Sequence, residues 1–160
     1  MAKVNVTGVA DQLSACGVTH VVWVPDSELG SLERCLDPSI HLVRACREGE
    51  AIAIAAGLLL GGARPVVVCQ CTGFFEAGDA FRNVVKDLDL PLFLVIGHRG
   101  ATALAAGKGR DSAARHLEPI LKAWELEYRA LGPDDSPSII GEWYAETRRR
   151  GIAAAVVAAE

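Results

Sequence analysis

Two carboxylates stand at the mouth of an otherwise apolar stretch, RACREGEAIAIAAGLLLGG, residues 44–62. A helix there begins at Glu48 and carries Glu50 in its first turn. Successive helical residues are about 100° apart. Glu48 and Glu50 therefore point in roughly opposite directions and cannot share one job. A carboxyl set among Ala and Ile side chains is poorly solvated, which suits it to share a proton. An acid in a first helical turn also complements the helix dipole. From this stretch alone both roles stand open.

Three other segments carry chemistry-bearing groups: VPDS (24–27), QCTGFF (70–75) and GHRG (97–100). Each follows a short apolar run. Asp26 and Ser27 offer oxygen atoms, and Ser27 is equally a helix cap. His98 and Arg99 offer donors for an anion, and Arg suits planar or tetrahedral oxyanions. The five cysteines, Cys16, Cys35, Cys46, Cys69 and Cys71, are odd in number and irregularly spaced. Cys69 and Cys71 have no second pair or nearby His to make a zinc site. Reduced thiols in the core fit them, with Cys71 as a candidate nucleophile at a strand end.

These segments must be positioned by something, and the pattern between them shows what. Apolar β-branched runs alternate with helical periods. Strands are expected at 20–24, 42–46, 65–71, 91–97, 127–131 and 152–158. Helices are expected at 4–15, 27–36, 48–60, 76–88, 117–125 and from Ser136 or Ser138 to Arg150, with a loop over 101–115. The strands are continuous apolar runs without alternation, the mark of a parallel sheet covered on both faces. The expected fold is α/β: a doubly wound, six-stranded, mostly parallel sheet in one domain, 1–160. In such a sheet, function lies beyond the carboxyl ends of the strands, where all four segments fall.

Composition narrows the classes. The chain has 160 residues, net charge −4 and 51% hydrophobic residues, ample for a core and without the basic balance of a nucleic-acid binder. The longest apolar run, 51–60, is about half a bilayer span, and the N-terminus lacks a signal-like run. A cytoplasmic protein with no membrane role is expected. There is no G-x-x-x-x-G-K-[ST], no G-x-G-x-x-G after a strand and no G-x-S-x-G.

REGEAIAIAAGLLLGGARPVVVCQCTG (47–73) resembles the pyrimidine-binding (Pyr) domain of thiamine diphosphate enzymes. VPDS after the first strand, and HRG after LPLFLVIG (90–97), resemble the sulfopyruvate and phosphonopyruvate decarboxylase branch. The resemblance implies that Glu48 is the catalytic glutamate. It would hydrogen-bond N1′ of the aminopyrimidine and favour the imino tautomer that activates the cofactor. Glu50 would be left as a helix-start acid. The resemblance further implies cofactor contacts at Pro25, Gln70, Thr72, Gly73 and Phe74, with Gly73 letting backbone pass a flat ring. It implies substrate contacts at Asp26, Ser27, His98 and Arg99, with Lys108 and Arg110 as further cations. Phe74 covers the ring or belongs to the core.

The family's second domain, which holds the diphosphate through Mg2+, has a GDG followed by a distant Asn. This chain has only Asn5 and Asn83, and its Gly78-Asp79 is followed by Ala80. The resemblance thus implies an alpha subunit without metal ligands, inert alone. Thiamine diphosphate and Mg2+ would be completed by a separate diphosphate-binding beta chain, in an α2β2 assembly. The outer face of the Ala/Gly-rich helix is expected to pack on that partner. The substrate would be a small anionic 2-oxo acid such as sulfopyruvate or phosphonopyruvate. Where the family has Asn, this chain has Glu76 and Asp79. A non-catalytic regulatory or scaffold subunit, a carboligase subunit, or a stand-alone enzyme using Cys71 remain as alternatives.

Overall fold

The structure, a computed structural model, describes residues 4–26 and 29–159. Ser27, expected both as a cap and as a substrate contact, lies outside the described residues. Six strands form one sheet: β1 (His20–Trp23), β2 (His41–Arg44), β3 (Pro65–Gln70), β4 (Phe93–His98), β5 (Glu127–Leu131) and β6 (Ala154–Ala159). The order is β2-β1-β3-β4-β6-β5 and every pairing is parallel. The expected doubly wound sheet is therefore present.

Period-2 alternation sends successive residues of these runs to opposite faces, and both faces are covered. Val21, Trp23, Val66, Val68, Phe93, Val95 and Val156 enter one core. It is closed by α1 (Val6–Ala15), the short α2 (Leu32–Cys35) and α8 (Ser138–Arg150). Val22, Val67, Cys69, Leu94, Ile96 and Val157 enter the other core. That face is closed by α3 (Glu48–Leu60), α4 (Cys71–Glu76), α5 (Gly78–Ala80), a π-helix (Phe81–Lys86) and α7 (Ser112–Ala123). Burial on both sides is why the strands read as unbroken apolar runs.

Strand β1 joins β2 on one side and β3 on the other, so the winding direction reverses between β1 and β3. A reversal of this kind opens a crevice at the carboxyl ends of the strands. The ends of β1 and β3 and the start of α3 meet there.

Two expectations are corrected. The segment 101–115 is not a loop: α6 (Ala101–Ala105) and the first turn of α7 lie in it. The helix start is set by Asp111, whose Oδ1 accepts from the Ala113 N–H at 2.9 Å. That Asx cap lies eight residues ahead of a helix-interior proline, Pro119, and the Gly/Ala-rich run before it breaks the helical period. The strand expected over 65–71 ends one residue early, and the helix expected from Glu76 starts earlier, at Cys71. The chain passes from β3 into α4 at Cys71, Gln70 being the last extended residue.

Candidate cofactor site

Helix α3 begins without a side-chain cap of its own. Arg47 occupies the cap position in an extended conformation and makes no capping hydrogen bond. The orphan N–H groups of the first turn are answered from elsewhere. Glu76, the last residue of α4, accepts from the Gly49 N–H through Oε2 at 3.0 Å. Its Oε1 accepts from the Arg47 guanidinium, with Nε at 2.9 Å. These donors hold the Glu76 carboxyl below its ordinary value, the Gly49 N–H contributing most and Arg47 next. Glu50 folds back so that Oε2 accepts from the Cys46 N–H at 3.0 Å. It is a helix-start acid, as expected.

Glu48 does none of this capping. It is half-buried and its carboxyl lies against α4. A Cβ placed on Gly73 would stand 2.1 Å from Glu48 Oε1 and 2.4 Å from its Cδ. Only hydrogen fits at position 73, because the carboxyl occupies the space. The resemblance implies a different reason for Gly73, passage of backbone beside a ring. The structure shows that the glycine first makes room for Glu48.

The buried Cys69 thiol reports what else gathers here. Burial pushes it up most, and the Glu48 and Asp26 carboxylates push it further. Glu48 and Asp26 thus both lie within electrostatic reach of the end of β3. Asp26 also accepts from the Leu29 N–H through Oδ1 at 2.7 Å, so it shapes the turn after β1. Pro25 is exposed beside it.

At the end of β3, Gln70 Oε1 accepts from the Thr72 hydroxyl at 3.0 Å. Thr72 is exposed. Phe74 is corrected: it is fully buried, with its ring edge-on to Phe81 at 5.4 Å. It serves the core and not the site. Cys71 is buried too, and burial raises its thiol despite the nearby Arg99. A buried, neutral thiol is a poor nucleophile, which removes the basis for a Cys71 enzyme.

At the end of β4, His98 Nε2 donates to the Ala114 carbonyl at 2.8 Å. That bond leaves Nδ1 to face any other partner. Arg99 is engaged as well: Nε donates to Asp111 Oδ2 at 3.1 Å and Nη2 lies 3.0 Å from it. Asp111 therefore joins Arg99 to the cap of α7, a residue the sequence reading passed over. Lys108 and Arg110 are exposed on the segment between α6 and α7. Asp79 pairs with Arg82 and accepts from Asn83, away from Glu48.

A groove of about 360 Å³ runs between the first turns of α4 and α7, lined by Thr72, Phe75, Ser112, Ala113, His116 and Ile120. A separate cavity of about 180 Å³, lined in part by Phe81, Leu126 and Ile152, lies at the amino ends of β5 and β6. It takes no part in the site.

One half-buried carboxyl over glycine backbone, at the carboxyl end of β3, fits a flat ring with a ring nitrogen to share a proton. Among the described residues no group of three His, Cys, Asp or Glu gathers to hold a metal. What the carboxyl and the glycine beside it fit is the pyrimidine ring of a thiamine cofactor.

The family described as "Thiamine pyrophosphate enzyme, N-terminal TPP binding domain" matches residues 6–113. The chain belongs to this family. The match spans α1 to the start of α7 and so contains all four strand-end segments. The sulfopyruvate decarboxylase alpha subunit of Methanocaldococcus jannaschii is 29% identical over 131 residues, 80% of this chain and 77% of that one. The phosphonopyruvate decarboxylase of Streptomyces viridochromogenes is 27% identical over 129 residues, 79% of this chain but only 32% of its own length. Among solved structures, benzoylformate decarboxylase from Polynucleobacter necessarius superposes with a TM-score of 0.77 at 20% identity. It covers 99% of this chain and 30% of its own. That likeness confirms the fold. Among the described residues, no helix is long and apolar enough to cross a membrane.

Proposed function

We propose that this chain is the pyrimidine-binding, alpha-type subunit of a thiamine-diphosphate-dependent 2-oxo acid decarboxylase. The observation that carries the reading is Glu48 at the head of α3, freed from capping by Glu76 and Glu50 and seated over Gly73 at the reversal between β1 and β3. The similarity to sulfopyruvate decarboxylase alpha subunits over most of both chains supports the class.

The bound cofactor supplies the electron sink for loss of CO2. This chain's share is to hold and tune it. The Glu48 carboxyl would hydrogen-bond N1′ of the aminopyrimidine and keep a proton shared at that atom. Gly73 backbone, Gln70, Thr72 and Pro25 would edge the ring. Asp26 and Ser27 would face the substrate from the end of β1. His98 and Arg99 would meet its anionic tail, with Lys108 and Arg110 in reserve. A substrate of the sulfopyruvate or phosphonopyruvate kind fits that cation placement. Diphosphate and Mg2+ would be held by a separate beta chain, most simply in an α2β2 assembly in the cytoplasm. The outward face of α3 is the natural seat for that chain: Ala53, Gly57 and Leu60 are exposed there, Leu60 by 69%.

Glu48→Gln tests the reading. An amide cannot share the proton as a carboxylate does, so turnover of the assembled enzyme should fall by about two orders of magnitude or more while assembly persists. Unchanged turnover would leave a scaffold role.

A further inference from the structure

We infer that Glu76 is a positioning residue for Glu48, acting with Arg47 as a cap supplied across two helices. The inference rests on the function proposed above for Glu48.

The geometry runs in both directions between α3 and α4. The first residue of α3, Glu48, lays its carboxyl on Gly73 in the middle of α4. The last residue of α4, Glu76, accepts from the second residue of α3, Gly49. Each helix thus fixes the other at the point where Glu48 leaves the backbone. Helix α3 needs this support, because its own cap position is Arg47, which has no acceptor to offer.

The charges fit the same arrangement. Glu48, Glu50 and Glu76 crowd one helix start. The helix dipole favours acids there, but three together also repel. Arg47 donates to Glu76 through Nε and Nη2 and so answers the charge of an acid that carries no chemistry. The Arg47 side chain is 76% exposed, and an exposed ion pair contributes little by itself. The contribution of the pair is placement.

This also accounts for a departure seen in the sequence. Asn is expected at position 76 from the family resemblance, and an amide oxygen can accept from the Gly49 N–H as a carboxylate does. Here a carboxylate takes that place and Arg47 answers its charge. Asp79, the other acidic departure, turns to Arg82 and Asn83 instead.

The test has two arms. In the lone chain, amide hydrogen exchange is followed at Gly49 in wild type, Glu76→Ala and Glu76→Gln. Exchange should speed up about tenfold or more in Glu76→Ala, and Glu76→Gln should keep much of the protection. In the enzyme assembled with its co-purified partner, kcat, KM and exchange of the cofactor's C2 proton are measured. Glu76→Ala should lower kcat and C2-proton exchange together by about 10- to 100-fold, with KM little changed. Glu76→Gln should recover most of the loss. Arg47→Ala added to Glu76→Ala should cost nothing further.

Wild-type kcat in Glu76→Ala, or Gln performing no better than Ala, would overturn the inference. So would a kcat loss that follows only the unfolded fraction. A wild-type assembly that does not exchange the C2 proton would sink the proposed function itself. The Gly49 amide judges the cap independently of that outcome.

Discussion

The Glu48 carboxyl and the Gly73 backbone share one volume: a Cβ at position 73 would fall 2.1 Å from Glu48 Oε1. No larger residue fits at position 73 without moving one of the two. Gly73→Ala should displace Glu48, lower turnover of the assembled enzyme about 100-fold and cost about 1–3 kcal/mol of stability by overpacking. Gly49→Ala is the control. Its Cβ would meet Ala80 Cβ at 3.5 Å and Glu76 Oε2 at 3.6 Å, ordinary contacts. It should fold and turn over nearly as wild type. Equal behaviour of the two variants in thermal melts and rate assays would contradict the geometry.

Arg99 and Asp111 predict a separation of binding from stability. Asp111→Ala removes the α7 cap and should lower the unfolding midpoint in urea. Arg99→Ala breaks only an exposed ion pair, which contributes little to stability. If Arg99 meets the substrate's anionic tail, its loss should raise KM about tenfold or more at nearly unchanged unfolding midpoint. An unchanged KM would remove Arg99 from the substrate site.

The outward face of α3 predicts where a partner sits. A Cβ on Gly57 would find nothing within 4 Å in this chain. Gly57→Arg should therefore leave the lone chain folded, with unaltered far-UV dichroism, and abolish co-purification of the partner. Retention of a stoichiometric partner would place the interface elsewhere.

Acid should weaken this fold through identified carboxylates. The Glu76 carboxyl is held below its ordinary value first by the Gly49 N–H, and that of Asp111 first by the Ala113 N–H. A carboxylate whose folded pKa is depressed contributes stability that is fully present above its unfolded pKa, about 4. That stability is lost as pH falls through the lower folded value. Unfolding free energy should accordingly decline below about pH 4, and more gently in the Glu76→Gln, Asp111→Asn double variant. Parallel declines in both proteins, followed by urea melts across that range, would refute the assignment.

The thiols order themselves by burial. Cys46 is exposed while Cys69 and Cys71 are buried, with both buried thiols raised mainly by desolvation. Brief alkylation of the native chain should mark Cys46 and spare 69 and 71, as located by mass spectrometry. Rapid labelling of Cys71 would reopen its role as a nucleophile.

By itself the sequence determined the doubly wound sheet, because strands buried on both faces must be continuous apolar runs, and PVVVCQ and FLVIGH are such runs. It also placed helix α3, from Glu48 to Leu60, by an unbroken Ala/Ile/Leu run that Gly61-Gly62 stops. It singled out Glu48 over Glu50 by resemblance, and direction around a helix only showed that the two must differ. What it could not show was anything that depends on two distant segments meeting. That Gly73 exists for the Glu48 carboxyl, and that Glu76 caps a helix 27 residues upstream, are contacts across α3 and α4. So is the seizure of Arg99 by Asp111. Phe74 and Phe75 are adjacent in the chain and alike in type, yet Phe74 is fully buried and Phe75 only in part. Local pattern sets which elements form and which faces are apolar. Only packing decides which side chains share a volume, because each such contact joins segments whose separation along the chain carries no periodic trace.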